Sequence, residues 1–92
     1  NIHMKAIVTV LGKDKVGIIA DVAIVMKKYG VNICDISQTL MQDYFTMIML
    51  VDLATSTVDF ATLQRELKEE GEAIGVDIRI QHQELFDSMH KI

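Results

Sequence analysis

The chain has 92 residues, half of them hydrophobic and 24% charged, with no proline and a formal net charge of −4. That length gives one domain with a core of its own and leaves no room for a second. The composition excludes a disordered chain, the absence of any apolar run near the roughly 20 residues of a membrane span excludes a crossing helix, and the acidic balance argues against gripping a nucleic-acid backbone, which needs a basic face.

Asn1-Ile2-His3 precede Met4 without signal-peptide architecture and read as a vector remnant outside the fold. Lys5 to Leu11, KAIVTVL, is β-branched and apolar on both alternating faces, the pattern of a central strand. It leads into Gly12 to Ile19, GKDKVGII, whose glycine spacing is that of a phosphate-binding loop. Ile18 and Ile19 stand where that loop needs its lysine and its magnesium-holding hydroxyl, so the stretch is no nucleotide cradle. From Lys15 to Tyr29, Ile18, Val22, Val25 or Met26, and Tyr29 recur at helical spacing, with Ile19 and Ala23 widening the stripe. Asp14 reads as the helix N-cap or as a ligand contact, and Gly30 as the left-handed stop.

Val31 to Gln42 is β-rich, but its alternation slips at Cys34 and Asp35, where a bulge would return Ile33 and Ile36 to one face. After a turn at Asp43, Tyr44 to Leu53 alternates Phe45, Met47, Met49, Val51 and Leu53 with Tyr44, Thr46, Ile48, Leu50 and Asp52. The two strands should pair as a hairpin. Ser56 or Thr57 with Asp59 resembles a helix start; Phe60, Leu63, Leu67 and Ile74 carry the stripe, and Gly71 or Gly75 ends it. Val76, Ile78 and Ile80 then alternate with Asp77, Arg79 and Gln81 as a last strand. Leu85, Phe86, Met89 and Ile92 suit one side of a short helix that needs packing to persist.

The order is βαββαβ. Right-handed crossovers give an α+β, ferredoxin-like fold: a four-stranded antiparallel sheet of order 4-1-3-2 with two helices on one face. Apolar residues on the other face, Ile48 and Leu50 among them, require cover from the C-terminal residues 85–92 or from a second subunit.

Few residues suggest chemistry. Cys34, the only cysteine, cannot form an internal disulfide and suits a reducing cytoplasm. His82 and His90 are badly spaced for zinc and lack a second cysteine, and six methionines suit adaptable packing rather than metal binding. No metal or cofactor is expected. Lys5, Lys13, Lys15, Lys27 and Lys28 dominate the first 30 residues, a bias suited to a small anion or to ordinary solvated surface.

The opening strand, GKDKVGIIADVA and the later YGVNI together resemble the ACT domain family over residues 4 to 84, and within it stand-alone bacterial proteins related to the glycine-cleavage repressor type. The resemblance implies a regulatory homodimer that binds an amino acid or similar small effector and performs no catalysis. It nominates Gly12, Lys13, Asp14, Val16, Gly17 and Ile18 from the first loop, and Asn32, Ile33 and Cys34 from the second strand, commonly meeting across a dimer interface. A helix N-terminus attracts carboxylate, and Asn32 offers both donor and acceptor; the glycines and Asn32 equally serve turn geometry and packing. A ligand-free adaptor is the alternative. An acylphosphatase-like hydrolase is a poorer one, because its first loop needs an arginine and this loop has only lysines.

Overall fold

The computed structural model describes residues 4–13 and 17–89. The elements are β1 (Lys5–Lys13), α1 (Ile18–Lys28), β2 (Asn32–Met41), β3 (Tyr44–Asp52), α2 (Phe60–Ile74), β4 (Asp77–His82) and α3 (Gln83–Met89). The strands form one antiparallel sheet in the order β2-β3-β1-β4, the sequence expectation read from its other edge. Central β1 pairs with β3 on one side and β4 on the other, and it is apolar on both faces because α1 and α2 share the core on one face while α3 packs on the other.

A single core joins Ala6, Val8 and Val10 of β1 and Phe45, Met47, Met49 and Val51 of β3 with Val22, Val25 and Met26 of α1 and Leu63 and Leu67 of α2. Helix α1 packs beside β2, α2 beside β4, and the helices touch each other. Tyr29 Oη donates to Glu66 at 3.0 Å, tying the end of α1 to α2.

The ends of the helices show which sequence signals operate. Gly30, at φ 71, follows the cap residue Tyr29; its N–H donates to Lys27 O and the N–H of Val31 to Met26 O, the paired bonds of a Schellman stop. At the other end, α1 begins later than its stripe suggested. The cap position is Gly17, at φ 89, and not Asp14; Asp14, Lys15 and Val16 lie outside the described residues. Gly75, at φ 82, ends α2. Gly71 is buried inside that helix, where an added Cβ would lie 2.6 Å from Val76 O. Its missing side chain is what lets α2 close on the segment entering β4.

Asp59 caps α2, its carboxylate accepting from the Thr62 N–H at 2.8 Å. Hydrogen bonding from Thr62, side chain first and then backbone N–H, holds the Asp59 carboxyl below its ordinary value of 3.8. A depressed carboxyl stabilises the fold above its unfolded pKa and loses that contribution as pH falls through the folded one. Thermal melts should therefore separate the wild type from Asp59→Ala at neutral pH, and the gap should close as pH drops below 3.8. A gap independent of pH would remove the charged cap from the account.

The slip in β2 is a bulge. Ile33 pairs with Val51 and Asp35 with Leu50, leaving Cys34 as the extra residue, and Ile33 and Ile36 then lie opposite the core-facing Val51 and Met49. Ile33 packs on the core, whereas Ile36 remains 41% exposed because β2 runs out from under α1 as the outer strand. On the second face Ile7 is buried, and α3 packs on β1 and β4, with Gln81 Nε2 donating to Met89 Sδ at 3.8 Å. The stripe expected on this helix is not a buried one: Leu85 and Met89 are exposed, Phe86 is half-buried, and Ile92 lies outside the described residues.

Candidate functional site

The nominated residues divide between the two ends of the sheet. Gly12 and Lys13 close β1, where Gly12 pairs with Phe45 and Lys13 with Tyr44; Gly17 and Ile18 open α1 beyond them. Asn32, Ile33 and Cys34 begin β2 at the opposite end, since Asn32 pairs with Asp52 and Asp52 with Lys5. From Lys5 to Gly12 the strand runs about 23 Å at roughly 3.3 Å per residue. One protomer therefore does not bring the two groups together.

At the first end, the two glycines have different reasons. A Cβ on Gly12 would lie 2.6 Å from Val76 Cγ1, so this position is glycine for packing. Gly17 needs its left-handed backbone, and nothing described lies within 4 Å of where its Cβ would stand. The Gly17 carbonyl accepts the first intrahelical bond, from the Asp21 N–H at 2.9 Å, and a glycine cap supplies no side-chain acceptor. The N–H groups of Ile18, Ile19 and Ala20 are thus the donors that a helix start leaves without intrahelical partners. The end of the sheet where Gly12 pairs with Phe45 also holds a hollow of about 310 Å³ lined by Gln38, Thr39, Leu40 and Phe45. The hollow left no trace in the sequence, because Leu40 and Phe45 read as ordinary alternation.

At the second end, Asn32 and Cys34 are exposed and Ile33 is half-buried. Cys34 carries a free thiol at the bulge. The lysines behind the charge bias of the first 30 residues do not gather among the described residues: Lys13 ends β1, while Lys5, Lys27 and Lys28 lie toward the other end of the sheet. His82 stacks on Phe60 with ring centroids 4.0 Å apart, far in the fold from Cys34, and His90 lies outside the described residues. Among the described residues no three of His, Cys, Asp and Glu gather as metal ligands.

Two further surfaces emerge only from the fold. The free edge of β2 carries Ile36, Leu40 and Met41 at 41%, 59% and 70% exposure. On the far side of the sheet a groove of about 520 Å³ lies between α2 and β4, lined in part by Arg65, Lys68 and Arg79. No helix among the described residues is long and apolar enough to cross a membrane.

Comparison with known proteins agrees with the geometry. The ACT domain family model matches residues 5–81. A UPF0237 protein of Clostridium acetobutylicum is 55% identical over 89 residues, covering 97% of this chain and 100% of the relative. Among solved structures, an ACT domain protein from Streptococcus pneumoniae is 44% identical with a TM-score of 0.80, covering 91% of this chain and 94% of its own. A protein described as a glycine cleavage system transcriptional repressor shares the fold at 22% identity and a TM-score of 0.73; the match covers 84% of this chain and 44% of that one.

Proposed function

We propose, from the premise that this chain belongs to the ACT domain family, that it is a non-catalytic regulatory module whose homodimer holds a small amino-acid-like ligand. ACT domains are typically ligand-binding regulators. The observation that carries the reading is the placement of the two groups at opposite ends of a sheet whose outer strand, β2, has an apolar free edge. An exposed apolar edge strand is a template for another strand. When two copies of β2 pair antiparallel about a two-fold axis, the beginning of each lies beside the end of the other. Asn32 to Cys34 of one protomer then approach the first loop and the α1 N-terminus of its partner.

The chemistry suits an α-amino acid. The N–H groups of Ile18 and Ile19 and the positive end of the helix receive the carboxylate. The Asn32 amide of the partner binds the ammonium through its oxygen, and the hollow at Leu40 and Phe45 accommodates the ligand's side chain. Asp14 and Val16 enter the proposed set through the family resemblance alone, and Lys13 ends β1 at the same end of the sheet as the hollow. The exposed thiol of Cys34 fits the reducing conditions of the cytoplasm. Occupancy carries a signal to a regulated protein partner to the extent that the ligand prefers one conformation or interface. The domain spans residues 4–84, with the C-terminal segment covering part of the second sheet face. Hydrolase chemistry on this fold finds no support, because both arginines stand on α2 and β4, away from the first loop.

Isothermal titration with each standard amino acid tests this reading. A subset should bind with one site per protomer, and Asn32→Ala should weaken binding about tenfold through the loss of a hydrogen bond to a charged group. Flat responses to every amino acid up to millimolar concentration would leave the adaptor function in its place.

A further inference from the structure

Strand β4 ends the sheet on the side away from β2, so one edge of Asp77–His82 has no neighbouring strand. Alternate residues of such a strand turn their N–H and C=O groups outward. No other strand among the described residues pairs with that edge. Alongside runs α2, whose Ala61, Gln64, Arg65 and Lys68 share one helical face toward the groove.

The groove is positively charged within an acidic chain. Its lining contains Arg65, Lys68 and Arg79 against the single carboxylate of Asp77. Arg79 donates from Nε to Asp77 at 2.9 Å, and its terminal guanidinium nitrogens make no other ion pair among the described residues. Arg65 reaches only Glu66, at 4.0 Å, and Lys68 has no ion pair among the described residues.

We propose that this groove takes an extended acidic segment of a partner protein, added as a strand beside β4. Main-chain bonding to the free edge supplies affinity, and side chains on alternate faces supply selection: carboxylates on one face meet Arg65 and Lys68 of α2, and those on the other meet Arg79. A second copy of this chain fits poorly. Two-fold pairing of β4 with itself sets Arg65 and Lys68 against the same residues of the other copy, and like charges so placed repel. The surface is separate from the ligand site at the β2 edge and stands whether or not an amino acid binds there.

The test uses the whole protein and a fluorescein-labelled synthetic peptide that repeats Glu-Glu-Val-Val, which puts glutamates on both faces of a strand, read by anisotropy. Two controls accompany it: a peptide with lysine for glutamate, and the acidic peptide N-methylated at successive residues, so that both edges of its strand lose their donors. The acidic peptide should bind saturably, at least about tenfold tighter than the basic one, and N-methylation should abolish binding. Arg65→Glu with Lys68→Glu, both exposed, should reverse the preference so that the basic peptide binds tighter, an outcome that loss of folding cannot produce. Equal binding of the two peptides, binding unchanged by N-methylation, or an unreversed preference overturns the proposal. So does an acidic peptide that splits a homodimer into single chains, which would make β4 the edge joining copies.

Discussion

Ile36→Glu combined with Met41→Glu should yield a monomer that no longer binds amino acids, read by sedimentation equilibrium and calorimetric titration. Both residues are exposed on the free edge of β2, so the single chain loses little by their replacement; surface changes of this kind usually fall within about 0.5 kcal/mol. In the paired state the four carboxylates crowd into one short antiparallel seam. Like charges juxtaposed across an interface cost several kcal/mol, enough to weaken self-association by at least about a hundredfold. Ligand binding should fall with it, because the two half-sites lie about 23 Å apart along one sheet. A variant that stays dimeric, or a monomer that still binds at wild-type affinity, would separate the site from the β2 edge.

The second large effect lies in the core. Gly71→Val should lower the melting temperature by roughly 15 °C, following a loss of about 3 kcal/mol. A Cβ at residue 71 meets the Val76 carbonyl oxygen at 2.6 Å, Ile78 Cγ1 at 3.1 Å and the Ile78 nitrogen at 3.3 Å. Two of these are backbone atoms, which cannot swing aside as a side chain would. Relief therefore requires α2 to lift from the strand that its Leu63 and Leu67 also help to bury. A chain of this size has about 5–14 kcal/mol in total, so the variant still folds, and the shift is measurable by calorimetry. Gly75→Ala tests a different requirement, the left-handed backbone at φ 82, and should cost only about 1 kcal/mol. Equal effects at the two glycines would refute the distinction between packing and backbone conformation.

That pair of glycines also marks how far the sequence can be read. Gly30 was legible because lysines precede it and a strand follows, whereas Gly71 and Gly75 both stand near the end of a helical stripe. Only the distance to Val76, a contact with the next element, tells them apart. The bulge at Cys34 announced itself through slipped alternation, since periodicity is local information. Asp14 misled as a cap for the converse reason: aspartate is a good cap by residue type, but Gly17 adopts the left-handed turn that begins α1.

The site was legible in parts but not in its geometry. The loop and the start of β2 could be named separately through their resemblance to a family, yet their separation follows from strand direction and register, which no motif records. The β4 groove left even less trace. Arg65 and Lys68 on one segment and Arg79 on another become neighbours only when α2 packs alongside the sheet edge. The resulting contrast between an apolar β2 edge and a cationic β4 groove is a property of the assembled sheet.

A crystal structure grown with a panel of the standard amino acids tests the central claim most directly. It should show two protomers joined through antiparallel β2 strands, with ligand density between Gly17 and Ile18 of one protomer and Asn32 of its partner. A dimer that leaves both β2 edges in solvent, or a ligand held within one protomer away from Gly17, would contradict it.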